Sequence, residues 1–469
     1  MAFRDVAARP TWSSSIIFKA VDEMNPRKAI YFALVRLRGQ ALGRYYNSFL
    51  REYRDGIPPD TTTRLLVDLL THCKHAVPYY AEVMYNMADS FNEDPKEYLR
   101  RFPILTKDII RNHFDELKST DLARRNWYFN TSGGSTGEPV KLIQDWEFVV
   151  RSGAITLLYS KLAGREIGER EVFLWGSTRD IAGGSEGWKA QLVNRLTNTT
   201  FLNAFLMTPG RMREYIAILN VKRPRLIVAY ADSLYELARF AEREGLQVLP
   251  QAAAITSAGT LYPFMREKIE EVFRCKVFDR YGSREVGDIA CEHSECGGLW
   301  VGPWGNYVEI VDSEGNRVPE GTEGEILVTS LTNFAMPLVR YRIGDRGTLS
   351  SGTGSDRRYG QVLKGVLGRT DDMVRAKNGV LIHGGYFMVM LFFRDWIRKY
   401  QVIQKSYSSI VFRIIRSESD YEQAELDEIV AKTKLAMGDD CDVIFEFVKE
   451  IPTSGSGKYR YIISEVSAG

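Results

Sequence analysis

The spacing of hydrophobic positions changes twice along this chain. From 14 to 120 they recur at helical intervals. Leu65, Leu66, Leu69, Leu70 and Cys73 share one face, with Asp60 placed as a cap upstream and Pro78 placed to end the helix. Ile109, Ile110, His113, Phe114 and Leu117 repeat the pattern. Near 127–144 the period falls to two. "NWYFN" and "VKLIQ" alternate as strands do, with Val140 and Leu142 opposite in facing to Lys141. Asp145 then caps a helix expected to run to Gly164.

Strands and helices alternate after that. "EVFLWG" (171–176), "RLIVAY" (225–230), "AAAITSAG" (252–259) and "KVFDRYG" (276–282) read as strands. Between them lie a helix opened by Thr208-Pro209, one from Asp232 to Gly245, and one over 262–274. This order argues for a parallel sheet covered by helices. From 299 the texture is short strands and turns: "YVEIVDSEGNRV", "GEILVTSL", "LVRYRIGD". After Asp371 strands are expected near 408–415 and 441–449, around a helix near 420–436. The fold class is therefore α/β. A helical segment, 1–95, packs on a large domain, 96–369, of helix-covered β-sheets with a β-rich subdomain. A small α+β C-terminal domain, 370–469, follows.

Composition excludes several function classes. Lys+Arg 62 against Asp+Glu 60 gives a net charge of +2, which is no footprint for nucleic acid. Five cysteines in 469 residues do not form a disulfide scaffold. No apolar run reaches the roughly 18–20 residues of a membrane span; "AIYFALV" is cut short by Arg36. No signal peptide is read, so a cytoplasmic chain, monomeric or homodimeric, is expected. The stretch 27–54, rich in Arg, Lys, Tyr and Leu, reads as a solvated helix face, with a membrane surface or a partner as the alternative.

The chemistry begins at "NTSGGSTGEPV" (130–140), which packs Thr131, Ser132, Gly133, Gly134, Ser135, Thr136 and Gly137 into one run. Glycines let backbone N–H groups turn toward an anion, and hydroxyls add donors. It is not the G-x-x-x-x-G-K-[ST] phosphate loop, because no Gly-Lys-Ser follows and strands flank it on both sides. "GSGKY" (455–459) fails the same test. Alone, the run reads equally as a mobile surface loop.

Four further stretches accompany it: "DRYGSREVG" (279–287), "YRIGD" (341–345), "GRTDD" (368–372) and "PTSGSGKYR" (452–460). In this order and at these separations they resemble the adenylate-forming superfamily of acyl-CoA synthetases and ligases. Within it the chain looks most like the phenylacetate–CoA ligase/CapK-like branch, whose nucleotide loop takes the form "TSGGSTGEP". The resemblance spans the chain past residue 60, including "HCKHAVPYYAEVM" (72–84), "LWGSTRD" (174–180) and "KRPRLIVAYADSLYELARFAEREGL" (222–246).

The resemblance implies a reaction. A carboxylate attacks the α-phosphate of ATP with Mg²⁺, an acyl-adenylate forms and pyrophosphate leaves; a nucleophile, often the CoA thiol, then displaces AMP. It also implies roles. Thr131, Ser132, Gly134, Ser135 and Thr136, with Gly133 and Gly137 between and after them, would cradle the β- and γ-phosphates. Tyr281 would stack on adenine, with Gly282 leaving room, and Ser257, Ala258 and Gly259 stand beside it. Glu285 would hold Mg²⁺. Asp345 would accept the ribose hydroxyls, with Arg369 nearby. Asp371 is the hinge about which the C-terminal domain rotates. Lys458 would bridge the carboxylate and α-phosphate oxygens. After rotation "AKNGVLIHGGYF" (376–387) would face the pantetheine arm, if CoA is the acceptor, with His383 a candidate base.

Three departures matter. "TSAGTL" (256–261) puts Thr260 where the branch often has a glutamate. Cys291, His293 and Cys296 are possible zinc ligands, but without a fourth they read first as a loop with two free cysteines, and Trp300 stands where relatives often carry histidine. Trp175, Arg179, Tyr230 and Trp188 are candidates for the acyl pocket or equally for the core. The leading function is an ATP-dependent ligase that passes an acyl group to CoA. An amine acceptor, in surface polysaccharide or natural-product biosynthesis, is the alternative. An inactive nucleotide-binding scaffold is the reading from a different class.

Overall fold

The computed structural model describes residues 25–466, apart from 38, 88–89, 133–139, 177–187, 205–206, 352–359, 370–372, 379, 384, 393, 395, 418–419 and 452–460. The chain opens with helices α1 (Pro26–Leu37), α2 (Leu42–Asp55), α3 (Thr61–Ala76), α4 (Pro78–Tyr85), α5 (Pro95–Leu99) and α6 (Lys107–Asn112). Proline falls at the start of α4 and α5, where its missing N–H costs nothing. On α3 the predicted stripe is the buried one: Leu66, Leu69, Leu70 and Cys73 are fully enclosed. Burying each such leucine stabilises by about 1.5–3 kcal/mol. Two local expectations are corrected. The Asp60 carboxylate makes no capping bond and instead pairs with Arg64 at 2.9 Å. The 109–117 pattern yields only the short α6, after which the chain turns while still burying Ile110 and Leu117.

β1 (Trp127–Thr131) and β2 (Lys141–Asp145) pair as an antiparallel hairpin. Val140 and Leu142 are buried and Lys141 is exposed, as alternation requires. Asp145 caps α7 (Trp146–Leu162), accepting the Phe148 N–H at 2.9 Å. The chain then alternates: β3 (Glu171–Trp175), α8 (Trp188–Thr197), β4 (Thr199–Asn203), α9 (Pro209–Lys222), β5 (Leu226–Tyr230), α10 (Ala231–Arg243), β6 (Ala253–Ser257), α11 (Pro263–Phe273) and β7 (Lys276–Ser283). Thr208 caps α9 ahead of Pro209, accepting the Arg211 N–H. Next come β8 (Gly287–Glu292), β9 (Leu299–Val301), β10 (Asn306–Val311), β11 (Glu323–Ser330), β12 (Tyr341–Ser351) and β13 (Gln361–Arg369).

β3 to β13 form one eleven-stranded sheet, ordered β10-β11-β12-β13-β9-β8-β7-β6-β5-β3-β4. The β4-β3-β5-β6-β7 half is parallel; the rest is antiparallel. β13 returns to pair with both β12 and β9, so the order is not that of the sequence. α7 packs on α2, where Tyr46, Phe49 and Leu50 meet Ala154, Ile155 and Leu158 over Trp300 and Trp304. After β14 (Met373–Arg375), β15 (Leu381–His383) and α12 (Gly385–Phe392), a four-stranded sheet forms. It holds β16 (Ile397–Ser406), β17 (Ser409–Arg416), β18 (Asp442–Phe447) and β19 (Ile462–Ser464). Helix α13 (Gln423–Met437) is opened by a Glu422/Glu425 capping box and buries Leu426, Ile429 and Met437. The architecture is the expected mixed α/β fold with a large sheet and a small C-terminal sheet unit. Among the described residues no helix is long and apolar enough to cross a membrane.

Candidate active site

In the parallel half, β3 pairs on one side with β4 and on the other with β5. The connections from β3, to β4, and from β5, to β6, therefore leave in opposite directions, which opens a crevice at the carboxyl ends of the strands. Trp175 ends β3 and Tyr230 ends β5, and their ring centroids lie 4.1 Å apart. Tyr230 stands opposite Ser257 at the end of β6, and Ser257 opposite Arg280 on β7. Four neighbouring strand ends thus present Trp175, Tyr230, Ser257 and the β7 segment Arg280–Tyr281 in one row.

The β1–β2 hairpin is clamped onto the turn after β7. Gln144 donates through Nε2 to the carbonyls of Arg284 (2.8 Å) and Glu285 (3.1 Å). Its Oε1 accepts from Asn130 Nδ2 at 2.8 Å and from the Tyr128 hydroxyl at 2.7 Å. Asn130 Nδ2 also reaches the Arg284 carbonyl at 3.3 Å. The base of the hairpin loop is closed by Ser132. Its N–H donates to the Val140 carbonyl and its Oγ accepts the Val140 N–H, both at 2.9 Å. The clamp holds the posts of the hydroxyl-rich loop against Glu285. Glu285 is only 8% exposed, and among the described residues its carboxylate has neither a hydrogen-bond nor an ion-pair partner. An enclosed carboxylate without a protein donor is a cation ligand in waiting. Lys141 points elsewhere: its ammonium sits 3.6 Å from the Phe129 ring centroid.

Two distant motifs meet beside it. The Tyr281 hydroxyl donates to Asp345 Oδ2 at 2.7 Å, joining the parallel half to β12. Arg369 stands directly opposite Asp345 across the β12–β13 ladder. Gly282 also answers a need of the fold. A Cβ there would lie 2.6 Å from the Gly287 carbonyl oxygen and 2.9 Å from the Asp288 Cα, so the glycine permits the β7–β8 bulge. After Ser257, Ala258 takes φ 64°, a left-handed conformation uncommon for alanine, and is exposed together with Gly259. Such backbone strain collects at ligand-binding turns.

Below this turn lies a second carboxylate. Asp279 accepts the Arg280 N–H at 3.0 Å, and its own N–H donates to Glu292 Oε2 at 2.8 Å. Glu292 takes Arg266 on both oxygens, at 2.9 and 2.8 Å. Burial, and then the neighbouring Glu292 charge, push the Asp279 pKa from 3.8 up to about 7.

Several predicted residues lie outside the described residues: Gly133, Gly134, Ser135, Thr136, Gly137, Arg179, Asp371 and Lys458. The zinc option finds no support. Cys291 sits in the core with Tyr159 and Trp300, and burial pushes its thiol pKa well up. The His293 ring packs edge-on against Tyr53 (5.8 Å) and Trp300 (5.7 Å). Among the described residues no three metal-ligating side chains gather. Trp300 is fully buried and packs against His293, Tyr53 and Trp304. Asn130, Gln144 and Asp279 were not anticipated from sequence. A strand amide carries no motif, and only its place diagonal to another amide across the hairpin, Asn130↔Leu142 beside Tyr128↔Gln144, marks it.

Comparisons with known proteins bear on the family and the fold. Residues 374–465 match the family model of the CapK C-terminal domain. Protein CapK of Staphylococcus aureus is 23% identical over 85% of this chain and 87% of its own length. The phenylacetate-coenzyme A ligase of Pseudomonas putida is 27% identical over 59% of this chain and 62% of its own. A crystal structure of 2-hydroxyisobutyryl-CoA ligase in the postadenylation state, in complex with R3-HIB-AMP, superposes with a TM-score of 0.67 at 18% identity, covering 87% of this chain and 91% of that one. This last likeness is one of fold.

Proposed function

Because the chain belongs to the adenylate-forming superfamily, in its phenylacetate–CoA ligase/CapK-like branch, we propose that it activates a carboxylic acid with ATP and transfers the acyl group to the CoA thiol. In the first step a carboxylate oxygen bonds to the α-phosphorus and the bond to pyrophosphate breaks. In the second, the thiol sulfur bonds to the acyl carbon, its proton is lost and AMP leaves. The observation that carries this reading is the meeting of Tyr281 and Asp345 at 2.7 Å beside Glu285, whose carboxylate has no partner among the described residues. A carboxylate, with two acceptor oxygens, suits a ribose diol, and a phenol ring suits a purine.

Each residue then has a task. Tyr281 and the Ser257–Gly259 turn flank the base. Asp345 orients the ribose, with Arg369 opposite it. Thr131, Ser132 and the hydroxyls and glycines that follow hold the outer phosphates. Glu285 is the residue that fits Mg²⁺, which when bound neutralises phosphate charge. Lys458 brings the two reacting anions together, and its loop and the CoA-facing segment exchange as residues 370–469 pivot at Asp371. Trp175 and Tyr230 line the acid's pocket at the crevice. The amine-acceptor alternative shares everything up to the second step.

The test is exchange of labelled pyrophosphate into ATP across a panel of aryl, fatty, amino and sugar acids. Exchange supported by one acid, followed by a thioester on adding CoA, is the expected result. An amide formed instead assigns the amine acceptor. No exchange with any acid, while ATP binds with Mg²⁺, supports the scaffold reading. Lys458→Ala should abolish exchange and leave ATP binding nearly intact; equal exchange in mutant and wild type would sink the assignment.

A further inference from the structure

Far from the strand ends, the stretch rich in Arg, Lys and Leu that precedes the first core helix is left unexplained by ligation. α1 exposes Ile30, Leu34 and Leu37, at 50%, 43% and 83%. At 3.6 residues per turn these three positions and Arg27 fall on one side of the helix. α1 packs beside α8, which exposes Leu192 one turn before Arg195. The start of α1 is pinned. Asn25 donates to the Ile167 carbonyl at 2.7 Å, and Lys28 pairs with Glu166 at 3.0 Å.

Where the two apolar stripes end, a cavity of about 520 Å³ opens, lined by Arg27, Asn194, Arg195, Asn198, Thr200 and Lys222. A second cavity, of about 350 Å³, shares Asn198, Thr200 and Lys222 with it and adds Arg170. Among the described residues none of these four cations has an ion-pair partner. The acid on the second wall, Glu171, is already held by the buried Arg165 at 3.1 Å. Other cations of the neighbouring helices are paired, Arg211 with Glu214 and Lys268 with Glu242. Cations without an ion-pair partner among the described residues surround a hollow bordered by an exposed apolar helix face, and this matches one ligand chemistry: a phosphate with an acyl chain beside it.

We propose that α1 and α8 form a docking surface for an anionic phospholipid membrane. The headgroup phosphate enters between Arg27, Arg195 and Lys222, and Ile30, Leu34, Leu37 and Leu192 lie against the acyl boundary. The attachment is peripheral and screened by salt.

The test is flotation of the full chain with vesicles of equimolar phosphatidylglycerol and phosphatidylcholine, against phosphatidylcholine alone and against inorganic phosphate. Binding to the anionic vesicles should exceed binding to the neutral ones by at least about tenfold and fall as salt rises. Arg27→Glu with Lys222→Glu should lose that binding. Leu34→Ser with Leu37→Ser should weaken it several-fold. Both should leave pyrophosphate exchange in solution unchanged. Should either variant unfold, hydrogen exchange on the wild type decides: anionic vesicles must protect the amides of 26–37. Equal flotation with neutral vesicles, wild-type flotation of the charge-reversed protein, or unprotected 26–37 amides would overturn the proposal. So would protection by inorganic phosphate without vesicle binding, which assigns the cavity to a soluble anion.

Discussion

Arg340 and Glu285 show two treatments of an enclosed charge. Arg340 is saturated. It donates to Glu309 (3.2 Å), to the carbonyls of Phe102 (2.8 Å) and Arg100 (3.2 Å), and to that of Gly315 (3.0 Å). This cluster ties the end of the helical segment to β10 and β12. Glu285 is nearly as enclosed, and its carboxylate meets no donor among the described residues. A charge kept for the fold is given its partners by the fold. A charge kept for a ligand is held in place through its backbone, here by Gln144, while its side chain is left unsatisfied.

That contrast can be broken in measurable ways. Arg340→Met strands Glu309 and three carbonyls. It should cost about 3–5 kcal/mol of stability, read by denaturant unfolding, with exchange per folded molecule near wild type. Glu285→Gln should do the reverse: exchange falls by about two to three orders of magnitude, a loss of roughly 3–4 kcal/mol in the transition state, with the melting temperature unchanged or higher. A large loss of stability in Glu285→Gln would collapse the distinction.

Asp279 sharpens it, being a carboxylate that the fold only half satisfies. Its pKa is raised in the folded chain, so between about pH 4 and pH 7 the folded state holds a proton the unfolded state has lost. Stability from this group is therefore full below pH 4 and declines as pH rises to 7. Asp279→Asn removes the decline, so it should gain on wild type across that window by about 2 kcal/mol, once the group's partial exposure is allowed for. Parallel pH–stability curves for the two proteins would refute this. The smallest effect is Tyr281→Phe, which keeps the ring and loses the bond to Asp345. It should raise the KM for ATP about threefold to tenfold and move kcat little.

Much of this was legible in the sequence where the cause is local. The Asp145 cap, Thr208-Pro209 and the alternation through β1 and β2 are decided within a few residues, and the structure has them. Asp60 was misread because Arg64, one turn on, competes for its carboxylate. Trp175 and Tyr230 could be named, but equally as core; only the parallel order of β3 and β5 places them side by side. The Asn130–Gln144 clamp and the Asp279–Glu292–Arg266 group depend on contacts 13 to 154 residues apart, which periodicity does not reach. The zinc pattern found no support, since spacing alone does not reveal that Trp300 and Tyr53 pack against His293.

The place of β13 has a consequence for synthesis on the ribosome. In the sheet order β9 is hydrogen-bonded to the β10–β12 meander through β13, whose first residue is Gln361. Until that strand emerges, a nascent chain holds Tyr281 in one partial sheet and Asp345 in another, with the edge of β9 unpaired. Open edges template pairing with other chains. A stall or early stop before Gln361 would therefore leave a polypeptide carrying nearly every binding residue of its strand ends and yet primed to aggregate, with quality control rather than catalysis as its destination.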